Sequence, residues 1–470
     1  MKIDQIYTGC LAQGAYYIES DGEAAIIDPL RETNPYIQKA EEENAKIKYI
    51  FETHFHADFV SGHVDLASKT GATIVFGPNA HPEYEVHTAK DEEEFILGRL
   101  KIRVLHTPGH TLESTCYLLT DEDGKETAIF TGDTLFIGDV GRPDLAAKSD
   151  LTQEDLAGLL FDSIRSKIFP LGNEVIVYPG HGAGSACGKN MSAETWDTLG
   201  HQKKSNYALR EDMTREEFIK EVTEGILPPP QYFEKNVMLN KSGYENIDEI
   251  IKMGNRPLEL EEFRKLAIRN STLILDTRKR GDFVDGFIPD SLFVGLEGTF
   301  APWVGALISD LKRPILFLAD EGTEEEVVIR LARVGYDNTV GYLKGGIETW
   351  INAGLPVETI QCMSPEEVES DLRLGKDINL LDVRRPTEYE AEHLENAVSK
   401  PLDFIRENMD SLDPASTYHI YCAGGYRSVI EASILHSHGF KNLINITGGY
   451  AQLKNTSIPK TEFVCQSGNS

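Results

Sequence analysis

Thr53-His54-Phe55-His56-Ala57-Asp58-Phe59 follows directly on the run KYIFE (48–52), so two histidines one residue apart sit where an apolar, β-branched segment gives way to a loop. Such a run reads as a strand, and polar side chains gathered at strand ends are how α/β folds assemble sites. The His-x-His spacing in a turn lets both imidazoles point into one cavity. Working outward, further short β-branched runs lie at 24–28 (AAIID), 72–76 (ATIVF), 100–107 (LKIRVLHT), 127–133 (TAIFTGD) and 174–182 (EVIVYPGHG). Several stop at an Asp or a His. His110 lies in a Pro-Gly loop, TPGHT, after the third of these; Asp133 caps the fourth and His181 the fifth. One histidine at a strand end is usually structural; five His and Asp residues at four strand ends point to a metal. His63 and His106 read as structural, and His81 and His87 as solvent-facing.

At 470 residues the chain exceeds one hydrophobic core, so several domains are expected. Apolar residues at 40% and charged residues at 26% suit soluble globular domains. The formal charge of -30 repels nucleic acid and anionic membrane, so neither is expected as a partner. The N-terminus has no basic segment leading into an apolar run, and nowhere do about 18 apolar residues run together; a cytoplasmic protein is expected. The six cysteines (Cys10, Cys116, Cys187, Cys362, Cys422, Cys465) form no CxxC, which argues against a zinc ribbon or a disulfide framework. Cys465 falls in a tail expected to be flexible.

Residues 192–225 read as helical and 225–243, GILPPPQYFEKNVMLNKSG, as a Pro- and Gly-rich connection out of the first domain. A repeat follows. LILDTRKRGDFVDGFIPDS (273–291) resembles LLDVRRPTEYEAEHLENAV (380–398), and VGYLKGGIETWINAGLP (340–356) resembles INITGGYAQLKNTSIP (444–459). One small domain separates the copies, so a module is duplicated. Each copy pairs buried-looking strands with helices, which implies parallel sheets. The expected domains are 1–250, 257–357 and 363–462.

In the second copy Cys422-Ala423-Gly424-Gly425-Tyr426-Arg427 links the strand YHIY to a helix beginning near Ser428. Backbone N–H groups and the positive helix end around such a cysteine stabilise a thiolate or persulfide anion. Arg427 can complement a sulfite or thiosulfate oxygen. The equivalent loop in the first copy, Leu318-Ala319-Asp320-Glu321-Gly322-Thr323, has no cysteine. A spacer or a dimerisation surface is the default role for that copy, and a homo-oligomer stays open.

The strand-end histidines and aspartates together resemble the metallo-β-lactamase superfamily, an αββα sandwich, over about half of the chain. That superfamily carries HxHxDH at this point, its Asp and last His serving a second metal. Here the last position is Phe59, whose ring cannot ligate. CAGGYR, with Asp382, Arg384, Glu388, Tyr389 and His393 upstream, resembles a rhodanese. In combination the chain is similar to persulfide dioxygenases fused to tandem rhodanese domains, an α/β class whose later domains have parallel sheets.

The resemblance implies one Fe(II) per chain, with zinc as the alternative, held by His54, His110 and Asp133; a 2-His-1-carboxylate face suits Fe(II). His56, Asp58 and His181 would then orient ligands and waters, either on the substrate or as a network left from a two-metal ancestor. Arg142, in GDVGRPDL, matches an arginine that contacts a glutathione carboxylate, or else stabilises its loop. Relatives that use glutathione often have a Tyr after PGH, where this chain has Gly182-Ala183-Gly184-Ser185-Ala186-Cys187, so the thiol carrier is unassigned. Cys187 is either a sulfur-relay thiol or a small buried residue. At the rhodanese loop Cys422 and Arg427 would be catalytic, with Gly424, Gly425 and Tyr426 binding substrate. The implied partners are a low-molecular-weight thiol persulfide such as glutathione persulfide, O2, and sulfite or thiosulfate. Two rivals stand beside this: a glyoxalase II-like zinc thiolester hydrolase, and a non-oxidative sulfur carrier.

Overall fold

Along Gln13–Ser20 successive side chains alternate between two apolar environments: Tyr16 and Ile18 enter one core, Ala15 and Tyr17 another. A strand buried on both faces needs a layer on each side. The computed structural model describes residues 1–147, 151–269 and 271–464, and supplies those layers. Cys465 lies outside the described residues. Two compact units are found, one of residues 1–250 with 304–309 and 329–337, the other of 251–303, 310–328 and 338–470.

The first unit contains two six-stranded sheets. One runs in spatial order through β1 (Lys2–Thr8), β2 (Gln13–Ser20), β3 (Glu23–Ile27), β4 (Lys46–Glu52), β5 (Thr73–Phe76) and β6 (His87–Thr88). The other contains β7 (Glu94–Leu97), β8 (Leu100–His106), β9 (Thr115–Thr120), β10 (Glu126–Gly132), β11 (Ile176–Pro179) and β12 (Asp197–Thr198), ordered β12-β11-β10-β9-β8-β7. Between the sheets lie Tyr16, Ile27, Phe51, Val104, Tyr117 and Phe130. The outer face of the first sheet packs on helices through Tyr36, Ala40 and Leu66, and that of the second through Leu156, Leu160 and Phe218. The result is the αββα sandwich.

The second unit repeats one plan twice, each time with a five-stranded, all-parallel sheet. β13 (Pro257–Leu258), β14 (Leu273–Asp276), β15 (Leu292–Phe293), β16 (Ile315–Leu318) and β17 (Thr339–Leu343) form the first, ordered β13-β17-β16-β14-β15. β18 (Gln361–Met363), β19 (Asn379–Asp382), β20 (Val398–Ser399), β21 (Tyr418–Tyr421) and β22 (Leu443–Ile446) take the same order in the second. The duplication extends to atoms. Arg278 meets Asp276 and Arg384 meets Asp382, each at 2.6 Å in a buried pair.

Two segments differ from the sequence reading. Residues 192–225 do not form one helix, because Thr198, Asn206 and Thr214 each accept a backbone N–H and start separate turns. The connection after the triple proline becomes a helix, Phe233–Ser242. The described residues contain no helix long and apolar enough to cross a membrane.

Candidate metal centre and sulfur site

β4, β8, β10 and β11 all end at one place, which gathers the loops carrying His54–Asp58, His110, Asp133 and His181. The approach is close. A Cβ at Gly132, whose φ is +48°, would sit 2.4 Å from Thr53 Oγ1, and one at Gly180 would sit 2.7 Å from Asp133 Oδ1.

His54, His110 and Asp133 bring one ligand atom each within 4.8 Å of one another, all three side chains being buried. Hydrogen bonds fix both rings. His110 Nδ1 donates to the carbonyl of Arg142 at 2.8 Å, which leaves Nε2 a bare lone pair 3.4 Å from Asp133 Oδ2. Thr53 Oγ1 donates to Asp28 at 2.8 Å and accepts from His54 Nδ1 at 3.0 Å, so His54 Nε2 also faces Asp133, at 3.9 Å. His110 Nε2 and both Asp133 oxygens are buried without hydrogen-bond partners. Acceptors crowded together in the interior repel one another unless a cation lies among them. Burial, aided by the neighbouring imidazoles, pushes His54 well below its ordinary value and keeps it in the neutral, ligating form. The donor set therefore fits one small divalent ion.

A second buried group holds His56, Asp58 and His181. His181 Nε2 lies 3.4 Å from Asp58 and 3.5 Å from Asp133. Burial works against charge on this ring, but the two carboxylates outweigh it and raise its pKa. Burial, then Asp133, pushes Asp58 up. The ring centres of His54 and His56 are 4.3 Å apart, and His56 Nε2 lies 3.2 Å from Asp28 and 3.5 Å from Glu52. Phe59, fully buried, stacks on the His56 ring at 4.3 Å and 29°. Cys187 is buried, and its sulfur joins Asp133 and His181 in a third group. Burial, then Asp58 and Asp133, pushes its thiol well up.

Arg142 makes the loop contacts that were one of its two expected roles. Its side chain is buried and makes four hydrogen bonds, two to Asp144 at 2.6 and 2.7 Å, one to Ala186 O at 3.1 Å and one to Leu227 O at 2.6 Å. With its fork spent on its own loops it is not presented to a substrate carboxylate; what it offers the site is the carbonyl that fixes His110. His63 is buried, 2.6 Å from Tyr84 OH, as expected of a structural residue.

Asn240, unpredicted, supports the loop: Nδ2 donates to His56 O and Phe59 O, both at 2.8 Å, and Oδ1 accepts from Ser61 N at 2.9 Å. One turn earlier Asn236 is buried with neither amide atom partnered. Two asparagines four apart on a helix were the available signal, hidden by a segment read as a connection.

In the second unit β21 delivers Cys422 to the start of a helix, Tyr426–Ser437. Gly425 N donates to Cys422 Sγ at 3.0 Å, and Ser428 Oγ lies 3.8 Å from the same sulfur. Arg427 pairs in bidentate fashion with Glu388 at 2.6 and 2.8 Å. Burial would raise Glu388, but the hydrogen bond and charge of Arg427 hold it below its ordinary value. The Tyr426 hydroxyl donates to Gly295 O of the first repeat at 2.7 Å. The Gly424 carbonyl accepts from Arg280 of that repeat. Glu431, fully buried and unpartnered, was not foreseen; burial, then Cys422, pushes its carboxyl well up.

Strand-end His and Asp groups on an αββα sandwich form a candidate metal site, and two parallel-sheet modules follow, of which one carries a cysteine loop at a helix start. Residues 8–181 match the metallo-beta-lactamase superfamily, and 259–353 and 364–456 each match the rhodanese-like domain. The mitochondrial persulfide dioxygenase ETHE1 of Homo sapiens is 30% identical over 220 residues, 46% of this chain and 78% of its own. The probable hydroxyacylglutathione hydrolase glo2 of Schizosaccharomyces pombe is 34% identical over 161 residues, 33% of this chain and 58% of its own. A crystal structure of a metallo-beta-lactamase from Staphylococcus aureus subsp. aureus COL is 31% identical, with a TM-score of 0.64, covering 73% of this chain and 98% of that one. The chain belongs to the metallo-β-lactamase superfamily and carries two rhodanese-like domains after its sandwich. It spans little more than half the length of two hydroxyacylglutathione hydrolases, 58% of the Schizosaccharomyces pombe protein and 56% of the cytoplasmic one of Arabidopsis thaliana.

Proposed function

We propose that the chain is a persulfide dioxygenase coupled to a sulfurtransferase, acting in the cytoplasm in sulfide detoxification. Its domains would be 1–250, 257–357 and 363–462. One observation carries this reading: His54, His110 and Asp133 form a buried 2-His-1-carboxylate group in which His110 Nε2 and both Asp133 oxygens have no hydrogen-bond partner, while Phe59, which cannot ligate, stacks on His56. Such a face suits one Fe(II). An iron(II) ion held by His54, His110 and Asp133 would supply joint binding of a persulfide sulfur and O2. The balance is R–S–SH + O2 + H2O → R–SH + HSO3⁻ + H⁺, in which the terminal sulfur is oxidised and dioxygen reduced.

The chain's own groups prepare this chemistry. Arg142 O and Thr53 Oγ1 hold the two ligating rings in the tautomers that present Nε2. His181, 3.4 Å from Asp58 and 3.5 Å from Asp133, stands beside the cluster as the group placed to pass a proton to the departing thiol. At Cys422 the Gly425 N–H stabilises a sulfur anion. Sulfite attack on a persulfide there would follow Cys–S–S⁻ + SO3²⁻ → Cys–S⁻ + S2O3²⁻; the reverse loads the cysteine.

The second reading, a zinc thiolester hydrolase, draws support from the intact His56, Asp58 and His181 group and from the hydroxyacylglutathione hydrolases among its relatives. Adding glutathione persulfide or a hydroxyacylglutathione to the purified protein, with an oxygen electrode and sulfite detection, separates the two. O2 uptake with sulfite supports the dioxygenase; thiolester cleavage without O2 uptake sinks it.

A further inference from the structure

The two rhodanese-like repeats keep the same pair at the same place, Asp276 with Arg278 and Asp382 with Arg384. Two residues further on they part. Each position starts a short helix, Arg280–Asp285 in the first repeat and Pro386–Ala391 in the second, and the residue is Pro386 in one and Arg280 in the other. Proline at the first position of a helix is locally favoured. Arginine there has no local advantage, so its reason lies at the far end of the side chain.

That end lies on the cysteine loop of the other repeat. Arg280 Nη1 donates to the Gly424 carbonyl, and a Cβ at Gly425 would come within 2.9 Å of the same nitrogen. A side chain at 425 would require the guanidinium to shift. The loop's own Arg427 is bound in bidentate fashion to Glu388, so its charge is already matched. A cavity of about 120 Å³ opens beside this contact; its walls are largely apolar, with Val284, Cys362 and Val429 among them, and Arg280 is its one charged residue.

We propose that Arg280, carried by the repeat that lacks the cysteine, is the cation that reads the sulfonate end of thiosulfate or sulfite at the Cys422 loop. It rests on the sulfurtransferase reading above. In the forward step the Cys422 thiolate attacks the outer sulfur of thiosulfate. A Cys–S–S⁻ bond forms, the S–SO3 bond breaks, and sulfite leaves with the electron pair. Arg280 meets the three oxygens that carry that charge through a fork suited to oxoanions. On a chain of formal charge -30, an anion needs such a local cation to approach at all. The Cys-less repeat thereby becomes a specificity wall of the active site.

Alkylation of Cys422 in the full chain, read by peptide mass spectrometry, measures the local charge without turnover. Iodoacetate is an anion and iodoacetamide its neutral counterpart, so the ratio of their rates cancels changes in thiol accessibility. Arg280→Gln should lower that ratio about tenfold, and Arg280→Lys should restore most of it. In thiosulfate-dependent transfer Arg280→Gln should raise KM about tenfold and leave kcat within about twofold; tenfold corresponds to about 1.4 kcal/mol. An unchanged alkylation ratio in Arg280→Gln overturns the proposal, and so does an equal fall in the Gln and Lys variants, which would make Arg280 a tether between the repeats. A wild-type protein that turns over no thiosulfate would sink the sulfurtransferase reading instead, while the alkylation ratio still judges Arg280.

Discussion

Asn240→Ala tests whether the metal loop is held from behind by the helix Phe233–Ser242. The side chain is buried and makes three hydrogen bonds to residues 56–61, at 2.8, 2.8 and 2.9 Å. At about 1 kcal/mol net for each bond, and with two carbonyls left bare in the interior, the loss is about 3–5 kcal/mol. Asn240→Asp should be at least as damaging although it is nearly isosteric, because it keeps the acceptor for Ser61 N but replaces two donors by an oxygen facing two carbonyls. Since this helix sets the backbone that carries His54 and His56, metal affinity should fall about 10- to 100-fold. Urea unfolding of the first unit, with metal titration of each variant, checks both numbers. A stability loss below about 1 kcal/mol with unchanged metal affinity would refute the reasoning.

Asp133→Ala should abolish metal binding and O2 uptake while thiosulfate-to-thiol sulfur transfer continues; loss of both activities would show that the two sites are not separable. Cys422→Ser should keep persulfide oxidation and stop enzymatic thiosulfate formation, measured by chromatography of the products. Glu388 titrates below the ordinary glutamate value of about 4.3 because of Arg427, so the pair stabilises the fold above that pH and its contribution disappears as pH falls through the lowered value. Denaturation of Glu388→Gln across pH should therefore show a deficit at pH 7 that shrinks as pH falls below the ordinary glutamate value and closes once Glu388 is protonated in the fold; a constant deficit would remove the ion pair as its cause.

The residues legible in the sequence were those fixed by a strand end. His54, His110, Asp133 and His181 each follow an apolar run, and β10 and β11 pair in parallel so that their last residues meet. The Cys422 loop was legible because glycines between a strand and a helix leave few other readings. What was hidden depends on distant partners. Arg142 looks like a substrate fork until the fold gives it Asp144, Ala186 and Leu227. Tyr426 and Arg280 find their partners about 130 to 145 residues away along the chain. Asn240 and Asn236 lay in a proline-rich segment read as a connection, where a polar helix face carries no visible period. Phe59 was legible as an absence of ligand; its second effect, stacking on His56, needed the structure.

Metal analysis of protein purified without oxygen separates one iron with oxygenase chemistry from a zinc hydrolase. About one iron per chain is expected, with O2 uptake on glutathione persulfide proportional to iron content across preparations. About two zinc ions per chain with no O2 consumption would rule out the dioxygenase.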